Sequence, residues 1–547
     1  MIMKRTIWII FFTLCFKQLI AQSDSSRPKL VVGIVVDQMR QEYLYRFSPH
    51  FGEGGFKRLI EEGYYFKNAH YNYMPTATGP GHASIYTGTT PRMHGIIGND
   101  WYDSNAGRLV YCVEDQSVIA VGGAKEFGAE SPKNLLTTTI TDELGLFFQG
   151  KSKIIGISIK DRAAILPAGH NPDGAYWTDM NTGRFMTSTY YMEELPNWVK
   201  DFNARNLPQK YLNEIWETFF PIETYIESDR DNRPYEKPIS EGIEPVFPYN
   251  LKKLSKGLPN AFTMLADTPF GNTLMIEMAI AAIENEKMGT DEITDFLAIS
   301  FSSTDKIGHK YGPYSKEIQD TYVRLDREIE RFLNVLDKKV GIGNWTLFLT
   351  ADHAVADIPH KMKEQGLPVD YWLGDSEHAG IKKAMEEKFK APGLIEKIHY
   401  GQLYLNREVM EEKSLNINIV KAYIIDYLSS ISGVSGAYDT KDLMAYQGSY
   451  LETQIISAGL NGSRSGDIVF TMPSGWLHQS YKAQGTGHGS QYSYDTHVPM
   501  LFYGKGIKPG VSVKYQPITN IAPTLSMLLN IKLPSASTGQ PIIEIFE

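Results

Sequence analysis

The chain has 547 residues, 42% of them hydrophobic and 21% charged, an ordinary globular composition that can fill one large α/β domain or two or three smaller ones. A formal charge of −9 speaks against a nucleic-acid partner. With only two cysteines, Cys15 and Cys112, a thiolate metal cluster is excluded, so any metal must be held by histidine and carboxylate, a donor set that suits zinc or a similar ion.

The amino end reads as an export signal. Lys4 and Arg5 precede the apolar run Ile7-Trp8-Ile9-Ile10-Phe11-Phe12, and Ala21 is the expected cleavage point, making residues 1–21 a signal peptide. The run is too short for a comfortable membrane span and no later segment qualifies, so a soluble mature protein, periplasmic or secreted, is expected. Bulky Leu14 argues against lipidation of Cys15. Cleavage removes three cations (Lys4, Arg5 and Lys17) and no acid, leaving the mature chain more acidic and with Cys112 as its one cysteine.

The β-branched run 29–36 has the pattern of a central parallel strand buried on both faces. Asp37 stands at its carboxyl end, where open α/β sheets bind their ligands. A short helix over about 55–62 follows, then the turn Pro75-Thr76-Ala77-Thr78-Gly79-Pro80-Gly81-His82, ahead of a helix expected to start near Ala83. A helix N-terminus offers unpaired N–H groups and a partial positive charge, so Thr78 stands where a nucleophile attacking a phosphoryl or sulfuryl centre would sit. Asn99 follows in the polar turn 95–100.

A second buried strand over 153–159 ends in Lys160-Asp161-Arg162, two cations placed to reach an anion. The Tyr-, Trp-, Asn- and Pro-rich stretch 170–270 reads as an insertion packed over the sheet and not as a separate catalytic unit. After a helix over 272–284, the strand 294–301 runs into Asp305 and His309, four residues apart and so on one side of a helical turn, a usable metal-ligand spacing. The amphipathic helix 316–339 presents Ile318, Tyr322, Leu325, Ile329, Phe332 and Leu336 to the core. The strand 345–350 leads to Asp352-His353, and a second insertion is expected over about 361–480, with a helix near 420–428. Gly487-His488-Gly489, a strand over 498–503 and a helix over 518–529 complete the chain, and Asn461-Gly462-Ser463 reads as a chance glycosylation sequon.

Four strands of one apparently parallel sheet thus lead to metal ligands or anion binders: Asp37, Lys160 with Arg162, Asp305 with His309, and Asp352 with His353. Adding His488 gives three carboxylates and three imidazoles, enough for two zinc ions that each keep an open position. His50, His70, His94, His170, His399 and His478 lack this context, whereas His82, His360, His378 and His497 lie nearer the motifs as candidate supporting residues. Asp357 and His360 are decoys, following closely on Asp352-His353.

Taken together, Asp37, the Thr78-Gly79-Pro80-Gly81-His82 turn, Asp305 with His309, Asp352-His353 and Gly487-His488-Gly489 resemble the alkaline phosphatase superfamily over residues 30–540. Within it the resemblance is nearest to exported bacterial alkaline phosphatases that use a threonine nucleophile and resist inhibition by phosphate. It implies an α/β fold with a mostly parallel central sheet sandwiched by helices. One catalytic domain would span 28–545, with insertions at about 170–270 and 361–480 over the active-site face. It also implies two zinc ions per subunit, one bound by Asp305, His309 and His488, the other by Asp37, Asp352 and His353 and contacting the Thr78 oxygen. Thr78 would then attack phosphorus to give a phosphothreonine, with Asn99 donating to a non-bridging oxygen and the Gly79 N–H assisting.

Several relatives share that zinc frame. Sulfatases need cysteine or serine at the nucleophile position, and cofactor-independent phosphoglycerate mutases use serine, so neither fits Thr78. Nucleotide pyrophosphatase/phosphodiesterases share the threonine and the asparagine and are the rival reading. A monoester carries one more negative charge than a diester, and that charge near a cation is worth roughly 4 kcal/mol at about 4 Å with an effective dielectric of about 20. Lys160 and Arg162 supply such cations and match the monoesterase branch, so small phosphate monoesters are the expected substrates and a monomer or weak oligomer the expected state. A non-catalytic exported protein that kept the fold to bind metal or phosphate is the alternative from another class; zinc content with no ester turnover would reveal it.

Overall fold

The computed structural model describes residues 27–546 except 259, 373 and 479–483, so the expected signal peptide lies outside the described residues. Seven strands form the body of an eleven-stranded sheet: β1 (Leu30–Val36), β2 (Tyr64–His70), β3 (Ile154–Ser158), β4 (Gly174–Thr178), β5 (Asp295–Phe301), β6 (Trp345–Thr350) and β7 (His497–Gly504). Their spatial order is β2-β7-β6-β1-β5-β3-β4. β1 pairs in parallel with β5 and β6, β5 with β3, and β3 with β4. β7 runs antiparallel to both β6 and β2. Every residue of β1, β5 and β6 is buried, which is why these runs are largely apolar and do not alternate.

Register brings the chemistry to one edge. Val36 lies opposite Phe301, Val35 opposite Thr350 and Ser300 opposite Ser158, so the chain leaves four adjacent parallel strands at nearly the same height. Asp37, Lys160, Asp305 and Asp352 all follow within a few residues of those points.

Six helices matter for the site: α1 (Thr78–Thr87), α2 (Asp161–Ala168), α3 (Phe270–Glu286), α4 (Ser303–Tyr311), α5 (Lys316–Leu336) and α6 (Ile521–Leu529). Gly33 lets α1 approach the sheet, because a Cβ there would meet the Tyr86 hydroxyl at 2.4 Å. The Tyr86 ring fills that space edge-on to Phe296 and Phe348, with centroids 6.0 and 5.9 Å away. The stripe Ile318, Tyr322, Leu325, Ile329, Phe332 and Leu336 of α5 is buried, as its periodicity requires. α5 stops at Leu336, short of the expected 339, and widens into a π-turn over Asp337–Gly341.

The stretch 170–270 does not lie wholly outside the sheet. β4 and the strand Phe185–Ser188 extend it, the first a buried Gly-Ala-Tyr-Trp-Thr run that reads as core strand once its neighbour β3 is in place. Beyond Ser188 the segment is fastened to α5. Asp320 of that helix accepts hydrogen bonds from Trp216 Nε1 at 2.8 Å, Tyr225 Oη at 2.7 Å and the Phe219 N–H at 2.6 Å. Within 361–480 the strands Ile395–His399, Gln402–Leu405, Ile468–Thr471 and Gly436–Asp439 make a separate four-stranded sheet. Helices Gly374–Phe389 and Ile417–Ser429 pack on it around Trp372, Leu403, Ile424 and Phe470.

Candidate active site

Helix α1 begins at Thr78 itself, five residues before the expected start. Gly79, Pro80 and Gly81 are poor interior formers, but in a first turn the N–H groups have no intrahelical partner and proline's fixed φ is already helical. Close packing explains the glycines: a Cβ on Gly81 would lie 2.2 Å from the Asp352 carbonyl oxygen, and one on Gly79 would lie 3.2 Å from Cys112 Sγ. Thr78 is buried at the start of this helix.

His82, one turn along, fixes the start of α1. Its Nδ1 donates to the Thr78 carbonyl at 2.8 Å, leaving Nε2 to accept from Ser300 Oγ at 2.9 Å. Burial pushes this ring down to about 3, so it stays neutral. It lies 3.5 Å from Asp352 Oδ2 and is a supporting residue of the site. The other three candidates of that kind lie elsewhere: His360 lies near Tyr371, His378 near His478, and His497 stacks on His70. Asp357 is paired with Arg40.

The three expected metal-binding histidines share one design. His309 Nδ1 donates to the Thr486 carbonyl at 2.8 Å, His353 Nδ1 to the Ala354 carbonyl at 2.9 Å and His488 Nδ1 to the Thr76 carbonyl at 2.7 Å. A carbonyl accepts only, so every Nδ1 carries the proton and every Nε2 is left for another partner. Those Nε2 atoms face carboxylates: His309 and His488 lie 3.0 and 3.7 Å from Asp305 Oδ1, and His353 lies 3.5 Å from Asp37 Oδ1 and 3.7 Å from Asp352 Oδ2. Asp37 Oδ1, Asp352 Oδ2 and His353 Nε2 are buried without any hydrogen-bond partner. Three orphaned acceptors converging in the interior fit a divalent cation and little else.

Two ligand groups result, Asp305 with His309 and His488, and Asp37 with Asp305 and His353. The first is the triplet that the resemblance implies. In the second, Asp305 stands between both groups, while Asp352 lies beside His353 and His82. The electrostatics point the same way. Burial and the Asp37 charge push the Asp352 carboxyl well above the usual range, the mark of carboxylates crowded together with too little positive charge. Burial holds the His488 ring well below its ordinary value, so its Nε2 keeps a lone pair.

The residues expected to bind an anion stand at the start of α2 and in the turn at Asn99. Lys160 Nζ lies 2.6 Å from Asp37 Oδ2, 2.7 Å from Asp305 Oδ2 and 3.4 Å from Thr78 Oγ1. Arg162 Nη1 donates to Tyr111 Oη at 3.0 Å, and Tyr111 Oη donates to Asp161 Oδ1 at 2.5 Å. Arg162 Nε is buried without a partner. Asn99 Oδ1 accepts the Gly79 N–H at 2.8 Å, which corrects the expectation that this N–H is free to assist an anion. The same bond orients the amide, so the Asn99 Nδ2 donor is the group left over.

Gln38 was not legible as a site residue, yet it bridges both halves. Its N–H donates to Asp352 Oδ1 at 3.2 Å and its Nε2 to Asp305 Oδ1 at 2.7 Å, from a left-handed backbone with φ 66°. The only sequence signal was its place directly after Asp37.

The sequence model of the family described as type I phosphodiesterase / nucleotide pyrophosphatase matches residues 31–497. The chain is 44% identical over 544 residues to alkaline phosphatase PafA of Elizabethkingia meningoseptica, covering 98% of each chain. It is 45% identical over 523 residues to alkaline phosphatase PhoV of Synechococcus elongatus, covering 95% of this chain and 94% of that one. It is 43% identical over 530 residues to a protein of Myroides odoratus named calcium-transporting ATPase, covering 96% of each. A crystal structure of wild-type alkaline phosphatase PafA superposes with a TM-score of 0.91, covering 95% of this chain and 99% of that chain. The chain therefore belongs to the type I phosphodiesterase / nucleotide pyrophosphatase family, within the alkaline phosphatase superfamily.

Proposed function

We propose that this chain is a metal-dependent alkaline phosphatase that hydrolyses phosphate monoesters through a phosphothreonine at Thr78. The observation that carries the reading is the position of Thr78 Oγ1, at the first residue of α1 and 3.4 Å from Lys160 Nζ, beside two carboxylate–histidine groups. The donor chemistry, histidine nitrogen with carboxylate oxygen, suits two zinc ions, one at Asp305, His309 and His488 and one at Asp37, Asp352 and His353. Bound there, they would favour the Thr78 alkoxide and stabilise charge on the leaving oxygen.

The chain's own groups do the rest. Thr78 Oγ gives up its proton to solvent and forms a bond to phosphorus as the ester P–O bond breaks and the leaving oxygen takes a proton from solvent. Water then attacks the same phosphorus, freeing inorganic phosphate and returning the proton to Thr78. Asn99 Nδ2, Arg162 and Lys160 hold the non-bridging oxygens, and the N-terminal end of α1 adds its partial positive charge. His82 holds the Thr78 carbonyl, so the nucleophile sits on a fixed turn of helix.

The diester alternative shares Thr78 and Asn99, but the two cations at the start of α2 favour the dianionic end of a monoester. Removal of a terminal phosphoryl group from a nucleotide, the activity in the Myroides relative's name, is the same displacement on the same kind of end group. No helix among the described residues is long and apolar enough to cross a membrane. The leader-like residues 1–21 support export to the periplasm or beyond. Phosphate release from a simple aryl monoester by zinc-loaded protein, lost in Thr78→Ala with zinc content unchanged, is the expected result. Turnover surviving that substitution contradicts the reading.

A further inference from the structure

The second insertion returns a hairpin to the turn that carries Asn99. Its hairpin, Ile395–His399 with Gln402–Leu405, turns at Tyr400 and Gly401, both left-handed with φ 47° and 71°. Gly401 suits the turn, since a Cβ there would meet the Phe470 carbonyl oxygen at 2.6 Å. Tyr400 does not, because a left-handed backbone is unfavourable for a bulky residue and persists only where the surroundings over-determine it.

Those surroundings are the turn at Asn99. His399 Nε2 lies 2.8 Å from Asp100 Oδ1, on the residue that follows Asn99. The Tyr404 ring packs edge-on against Tyr102 of the strand Asp100–Asp103, with centroids 5.3 Å apart. The Tyr400 ring lies 4.4 Å from the His399 ring, centroid to centroid, and half of the residue is open to solvent. Tyr400 thus stands one residue beyond the His399–Asp100 contact, at the hairpin tip that docks beside Asn99.

We propose that Tyr400 is a specificity-determining residue whose ring walls the Asn99–Arg162 side of the site and excludes the second substituent of a phosphodiester. The inference rests on the proposed function, in which Asn99 and Arg162 take the non-bridging oxygens of a phosphoryl group attacked by Thr78. A monoester presents bare oxygens on that side; a diester carries carbon on one of them. Lys160 and Arg162 tell the two apart by charge, and Tyr400 tells them apart by volume. The two devices are separable, because removing the ring leaves every charge in place.

The test is Tyr400→Gly in the zinc-loaded protein, a change that removes the ring and also suits the left-handed backbone. kcat/KM is measured on 4-nitrophenyl phosphate, methyl 4-nitrophenyl phosphate and bis(4-nitrophenyl) phosphate, with thermal unfolding as the folding control. The diester-to-monoester ratio is expected to rise about tenfold or more, in the range that pocket volume commands, and to rise further for the bulkier diester. Monoester turnover should stay within about twofold of wild type, and Tyr400→Phe should keep the wild-type ratio, because volume and not the hydroxyl is at work. An unchanged ratio in Tyr400→Gly overturns the proposal. So does a selective loss of monoester turnover, which would make the ring a platform for the leaving group. Wild type without monoesterase activity would sink the proposed function instead, before any variant is compared.

Discussion

Lys160→Ala removes the cation nearest the candidate nucleophile and should cost monoesters far more than diesters. Its Nζ lies 3.4 Å from Thr78 Oγ1, so the oxygens of a phosphoryl group at that hydroxyl come within about 4 Å of the ammonium. One charge pair at that distance is worth roughly 4 kcal/mol with an effective dielectric of about 20. Lys160 is not a free charge, however. It also lies 2.6 Å from Asp37 Oδ2 and 2.7 Å from Asp305 Oδ2. Taking about half the Coulomb figure for the extra charge of a monoester gives about 2 kcal/mol, or roughly 30-fold in kcat/KM. The assay compares 4-nitrophenyl phosphate with its methyl diester, using wild type and variant with matched zinc content. Equal losses on both esters would refute the charge-reading role and leave Lys160 a structural partner of the two carboxylates.

Three further outcomes follow from particular contacts. Chelation should lower Tm by about 2–4 °C relative to zinc-loaded protein, the shift expected of a ligand at about 100 times its Kd, and Asp37→Asn, which removes a ligand of one of the two sites, should abolish about half of that difference in a thermal scan. His94 is buried, its Nδ1 accepting the Ile96 N–H at 3.1 Å and its Nε2 donating to Ser84 Oγ at 2.9 Å; burial, with the Arg464 charge adding, pushes it down to about 3. The unfolded chain takes that proton near pH 6.5, so stability is expected to fall as pH drops from about 6.5 toward 3, and His94→Gln should flatten the acid limb of Tm against pH. Gly81→Ala places a Cβ 2.2 Å from the Asp352 carbonyl oxygen, so Tm and monoester turnover should fall together, with about 1–3 kcal/mol lost in denaturant titration.

The strands were legible because burial on both faces writes a continuous apolar run, and residues that break such a run at its carboxyl end stand out. Asp37, Lys160, Asp305 and Asp352 were found in this way, and the fold brings all four together. Three causes kept other features out of view. The first is backbone geometry: Gly79 and Gly81 read as turn residues, and only close approach to Cys112 and Asp352 shows why they open a helix. The second is pairing between distant polar side chains and backbone. Gln38 bridging Asp305 and Asp352, Asn99 taking the Gly79 N–H, and the hairpin at Tyr400 reaching Asp100 all span contacts that no periodicity encodes. The stretch 170–270 shows a third cause: its aromatic composition masked β4, whose burial depends on β3 beside it.

The central claim is that Thr78 carries the phosphoryl group between ester and water. The direct measurement is a rapid acid quench of zinc-loaded protein during turnover of 4-nitrophenyl phosphate, followed by mass spectrometry of the peptide that contains residue 78. The account predicts a phosphorylated Thr78 in wild type, with no modified peptide and no turnover in Thr78→Ala. Steady turnover with no phosphate on Thr78, or with that substitution in place, would contradict it.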